Sequence, residues 1–184
     1  MKKILLSLFA VSFTLTQLIA QETTFEKGSK VLNLGIGLGS PWYHGSYYKS
    51  QIPPVSASFE VGIIDNILEK GVLGLGGYLG YSSYKSDYGD YGWKSTNLFI
   101  GARGNFHYPL VDKLDTYVGL TLGYNVVSDK GWGDYGGYDY GSSWGGIRTA
   151  EFIGARYYFS EKFAAMLELG YGVTYLNLGI ALKL

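Results

Sequence analysis

The last nine residues, Leu176 to Leu184, constrain the fold most tightly. Leu176, Leu178, Ile180, Leu182 and Leu184 are apolar, while Asn177, Gly179, Ala181 and Lys183 between them are small or polar. Strict alternation of this kind makes a strand with two unlike faces. The strand ends the chain, so earlier strands must pair with it and finish the sheet.

The same alternation predicts seven earlier strands, over about 30–39, 55–64, 72–84, 95–108, 116–127, 147–159 and 163–171. Residues 21–28 read as a polar lead-in. Long connections are expected over 40–54, where prolines stop pairing, over 85–94 and over 129–146; short ones are expected over 65–71, 109–115 and 160–162. A tight bend at Gly172-Val173-Thr174 precedes the last strand. Strands of about ten residues match the length a tilted transmembrane strand needs. An even number of strands returns both ends to one side, the side of the short turns. The pentapeptide FIGAR occurs at Phe99–Arg103 and again at Phe152–Arg156, in two even-numbered strands, and reads as a shared barrel constraint or an old duplication.

The chain opens on Lys2-Lys3, an apolar run from Ile4 to Leu15, and Leu18-Ile19-Ala20. This pattern predicts a secretory signal peptide over 1–20, cleaved after Ala20, and a single domain over 21–184. The run is too short for a spanning helix, which takes roughly 20 residues. There is no cysteine, so an exported chain of this kind carries no disulfides. Without Lys2 and Lys3, thirteen basic residues face fifteen acidic ones, a balance that does not support nucleic-acid binding. Charged residues make up 16% of the chain, against roughly 25% in soluble domains, and tyrosine reaches 18. Few charges and many aromatics suit a surface in contact with lipid.

Alternation alone also fits a soluble lipocalin-type barrel with apolar residues inside. The second face of each strand decides between the two. It is mostly Gly, Ser, Asn and Ala, a poor wet exterior but a good lining for a narrow lumen. Tyr81, Tyr108, Tyr124, Tyr157, Phe159 and Tyr171 fall near strand ends, where interface girdles form. Glu151, on the lipid-facing parity, and the non-aromatic terminal Leu184 run against the pattern. The expected fold is therefore an all-β, eight-stranded antiparallel up-and-down transmembrane β-barrel, monomeric and surrounded by lipid of the bacterial outer membrane. In architecture and pattern, residues 21–184 resemble the small OmpX-like and OmpA-barrel-like outer-membrane proteins. That resemblance implies a structural or adhesion-type role, or else a lipid A acyltransferase or deacylase. No peptidoglycan-binding domain of the kind many OmpA-type proteins carry is expected after the barrel.

Four charged residues have lumen parity at similar depth: Glu60, Arg103, Arg156 and Glu168. Two acids and two arginines are expected to pair and close the lumen, since buried charge must be compensated; a narrow ion path is the alternative. His107 has lumen parity near the periplasmic end and reads as packed. His44, with Ser40, Ser46 and Ser50 nearby, is the one candidate base that the acyltransferase or deacylase resemblance implies. Asp87, Asp90, Asp129, Asp134 and Asp139 lack EF-hand spacing and read as solvated. No cofactor or metal is expected. The connections carry the clearest functional signal: Tyr43, Tyr48, Tyr88, Tyr91, Trp93, Trp132, Tyr135, Tyr138, Tyr140 and Trp144 sit among Gly, Ser and Asp. Rigid aromatics on an adaptable polar frame suit binding of a surface ligand or protein. The same rings also suit anchoring to lipid headgroups.

Overall fold

Eight strands form: β1 (Lys30–Leu38), β2 (Lys49–Ile67), β3 (Gly71–Asp87), β4 (Tyr91–Val111), β5 (Leu114–Gly133), β6 (Gly141–Tyr158), β7 (Phe163–Tyr171) and β8 (Leu176–Lys183). The computed structural model describes residues 24–41, 49–88, 91–133 and 141–184. Every strand is antiparallel to its sequence neighbours, and β8 pairs with β1 from Leu176↔Leu38 to Lys183↔Val31, closing the barrel. Closure explains how a strand at the chain end is satisfied: both of its edges are bonded, to β7 and to β1.

The two faces separate as their chemistry demands. Outward-pointing Ile100, Leu122, Ile153 and Ile180 are 57%, 55%, 60% and 55% exposed. The interior is lined by buried Asn33, Ser58, Glu60, Arg103, Asn105, Thr121, Arg156, Glu168 and Asn177. A water-soluble barrel would have the reverse arrangement. On β4 the outward apolar run from Leu98 to Tyr108 spans ten residue steps. At ~3.4 Å per step and a tilt of ~40° that is roughly 26 Å of height, close to the ≈ 25 Å apolar band of an outer-membrane barrel. Glu151 does face outward, exposed, opposite Leu120 and Tyr171. Glycine makes room inside: a Cβ at Gly74 would collide with the Glu60 carboxylate, at Gly119 with Phe152 and Asn105, and at Gly154 with Tyr117.

Several expected boundaries are corrected. Strands β2 to β6 run well beyond the membrane-length segments, so much of 85–94 and 129–146 is paired strand rather than loop. The alternation signal fades there because both faces are wet above a membrane. Pro53 and Pro54 do not end pairing; they sit within β2 at a register shift between Ile52↔Ser83 and Val55↔Tyr81, a bulge that needs no N–H from either. The β4–β5 turn shrinks to Asp112-Lys113, with Lys113 at φ 62°, and Asp115 becomes a strand residue. The rim is uneven: β1, β7 and β8 have nine, nine and eight residues, against 17 to 21 for the strands between.

The polar lead-in is also corrected. Phe25 is buried at 3% exposure with Val31, Val72, Tyr158, Ala164 and Ala181. The segment is pinned by Gly28 N–H to Gly62 O (2.9 Å), by Ser29 N–H to Glu26 O (3.0 Å), and by Lys183 Nζ to Thr24 O (3.1 Å). It folds into the end of the barrel that carries both termini and fills it with an aromatic ring.

Candidate functional site

The lumen holds two connected charge clusters. In the first, the Arg156 guanidinium donates to Asp115 Oδ2 (3.1 Å) and to Glu60 Oε2. His107 lies between the same two acids, Nε2 2.6 Å from Glu60 Oε1 and Nδ1 2.7 Å from Asp115 Oδ1. With both carboxyls ionised, both contacts are hydrogen bonds only when both ring nitrogens carry hydrogen. In that form the lumen balances three positive groups against three negative ones. Phe25 stacks on the His107 ring at 3.9 Å between centroids and covers this cluster.

In the second cluster Arg103 Nη2 pairs with Glu168 Oε1, which also accepts from the Tyr117 hydroxyl at 2.7 Å. Asn177 Nδ2 donates to Glu168 Oε2 at 3.1 Å. Asn105 joins the clusters: its Oδ1 accepts from Arg103 Nε (3.3 Å), and its Nδ2 donates to Glu60 Oε1 (2.8 Å). The repeated pentapeptide has a structural meaning, because Arg103 of one copy lies over the Phe152 ring of the other at 3.9 Å. The structure thus brings Glu60, Arg103, Arg156 and Glu168 together. It adds His107, Asp115, Asn105 and Tyr117, which share in most of those hydrogen bonds. On the outer side of the Arg103–Glu168 pair a narrow crevice is lined by Tyr78, Asn177, Val173 and Thr174. It reaches the outer surface at Glu151 and Tyr171, where short β7 ends against longer β6.

This arrangement does not support proton-transfer chemistry. Both His107 nitrogens are taken by carboxylates, so none faces a hydroxyl. No group of three or more His, Asp or Glu side chains among the described residues is arranged to hold a metal ion. His44 and Ser46, like Asp90, Asp134 and Asp139, lie outside the described residues.

Of the surface aromatics, Tyr43, Tyr48, Tyr135, Tyr138 and Tyr140 also lie outside them. Tyr88, Tyr91 and Trp93 form one cluster, Tyr88 being 5.6 Å from each of the other two rings. Trp93 stands opposite Gly131 and Tyr91 opposite Gly133, so no β5 side chain crowds them. Trp132 is separate, with opposite strand parity; its ring covers Gly92 and lies 4.4 Å beneath Lys85 Nζ. Trp144 stands on β6 opposite Val127, about half exposed.

Among solved structures the chain is similar to the N-terminal β-barrel domain of Pseudomonas aeruginosa OprF, at 15% identity and a TM-score of 0.50, over 86% of this chain and 98% of that one. It is also similar to Ail, the attachment invasion locus protein of Yersinia pestis, in complex with the heparin analogue sucrose octasulfate. There the identity is 8% and the TM-score 0.48, over 85% of this chain and 95% of that one. No protein-family model matches the chain, and no curated protein matches it by sequence. What is shared is the fold: this chain, like the OprF barrel domain, is an eight-stranded antiparallel β-barrel.

Proposed function

We propose that the mature chain, released by cleavage after Ala20, is a monomeric bacterial outer-membrane barrel without enzymatic activity. Its lumen is sealed by ion pairs, and its projecting hairpins serve a structural or adhesion-type role at the cell surface. One observation carries this reading. The exterior is apolar and open to lipid, while six charged groups inside are compensated by one another and Arg156 is fully buried. Charges held this closely, with Phe25 stacked over His107, leave no room for a file of water past Glu60 and Arg156. The Tyr88, Tyr91 and Trp93 cluster supports the surface role, since exposed rings on glycine-flanked strands offer contact area at low entropic cost.

The test is conductance of the mature protein in planar bilayers. Silence is expected from the wild type. Stepwise openings altered by Arg103→Ala would overturn the sealed lumen and favour the narrow-channel alternative.

A further inference from the structure

The strand register sorts the outer face of β3, β4 and β5 into rows that run across the strands. Tyr81, Leu98 and Val126 pair across the strands as the last apolar row. Two residues further out, Ser83, Thr96 and Ser128 make a row of hydroxyls. Two further still, Lys85, Lys94 and Lys130 stand directly opposite one another, and Lys49 takes the β2 register position opposite Lys85. Three ammonium groups are thus borne on adjacent strands whose outer two are about 10 Å apart.

Like charges placed directly across a sheet repel. Among the described residues little offsets them. Asp87 lies 3.1 Å from Lys85, and the Trp132 ring supports the same ammonium. Lys94 and Lys130 are exposed and form no ion pair among the described residues. Acids occur at this end too, Asp87 and Asp129 among the described residues, but what stands in register across β3, β4 and β5 is three lysines.

Height supplies the occupant. Lys94 is four residues beyond Leu98, roughly 10 Å above the last apolar row at the tilt used above. Lys94 and Lys130, rooted there and reaching back toward the membrane, put their ammonium groups among the lipid headgroups, whereas the Lys85 ammonium is held further out by Asp87 and Trp132 and must leave them to join. We infer that Lys85, Lys94 and Lys130 form a docking site for the phosphate groups of outer-leaflet lipid, with Thr96 and Ser128 facing the headgroup beneath them and Ser83 buried behind the row. The repulsion built into the bare row is relieved when the lipid binds. This inference rests on the outer-membrane setting proposed above.

The mature protein, refolded in uncharged maltoside micelles, is titrated with bisphosphorylated lipid A, with its dephosphorylated counterpart and with inorganic phosphate. Affinity and thermal midpoint are both read. Each lysine near a charged lipid surface is worth about a fivefold change, so the triple variant Lys85→Gln/Lys94→Gln/Lys130→Gln binds the bisphosphorylated lipid about 100-fold more weakly. Without lipid the triple variant melts no lower than wild type, and Lys113→Gln/Lys162→Gln, at the other end, binds normally. Were the triple variant not to refold, Lys94→Gln and Lys130→Gln singly still show their fivefold losses. Equal affinity in the lysine variants, equal binding of the dephosphorylated lipid, or the same stabilisation by inorganic phosphate would overturn the inference. A wild-type chain that does not enter micelles as a heat-modifiable barrel breaks the functional reading instead. A barrel that enters and ignores phosphate breaks only this one.

Discussion

Replacing Arg156 by methionine tests whether the lumen is truly dry. Arg156 is fully buried and is the sole described partner of two carboxylate oxygens, Glu60 Oε2 and Asp115 Oδ2. Glu60 keeps His107 and Asn105 on its other oxygen, and Asp115 keeps His107. The substitution therefore orphans two buried acceptors and leaves one surplus negative charge. Each orphaned group costs about 1–3 kcal/mol, and breaking a buried pair from one side typically costs about 3–5 kcal/mol. We expect a loss of about 4 kcal/mol. It is measured from urea unfolding in lipid vesicles, followed by tryptophan fluorescence and linear extrapolation. The double variant Glu60→Gln/Arg156→Met removes the surplus charge, so its loss should fall short of the sum of the two single losses by at least ~0.5 kcal/mol. A loss below ~1 kcal/mol for Arg156→Met would mean that water reaches the carboxylates, and the sealed lumen would have to be abandoned.

Two further substitutions probe other parts of the argument. Ile100, 57% exposed in the middle of the apolar band, changed to lysine should destabilise the barrel by about 2–4 kcal/mol in lipid vesicles; a neutral result would mean that this face meets water. Phe25→Ala should lower the urea midpoint by the equivalent of about 3 kcal/mol, because it empties the space beside His107. Hydrogen exchange of the backbone amides near Gly62 should then speed up; an unchanged rate would show that the N-terminal segment does not close that end.

The barrel was legible wherever one face of a strand meets lipid and the other meets the lumen. In β1, β7 and β8 the period of two runs nearly unbroken, and the expected and observed limits agree within a residue or two. Legibility fails where that contrast disappears. The outer halves of β4 and β5 alternate among Gly, Ser, Lys and Trp, water wets both faces, and composition there reads as loop. Asp115 was hidden for a related reason: in the run Asp112-Lys113-Leu114-Asp115, either acid suits a turn, and only the two-residue turn closed by Lys113 at positive φ turns the second acid inward. Phe25 was hidden because one aromatic in a polar octet has no periodicity to betray it. Lys85, Lys94 and Lys130 lie far apart in sequence, and only the register, a property of pairs of strands, puts them in line.

The glycines facing the lumen set how this chain can change. Gly74 stands where the Glu60 carboxylate lies, and Gly154 where the Tyr117 ring lies. A bulkier residue at either place evicts its tenant, and a smaller tenant leaves a void, so alterations inside are tolerated only in matched couples. Gly92, Gly141, Gly145 and Gly146 of the projecting hairpins carry no such coupling to the charged interior. The molecule is thereby divided into a frozen chassis and an editable crown, and new surface chemistry can be tried out above without reopening the bore below.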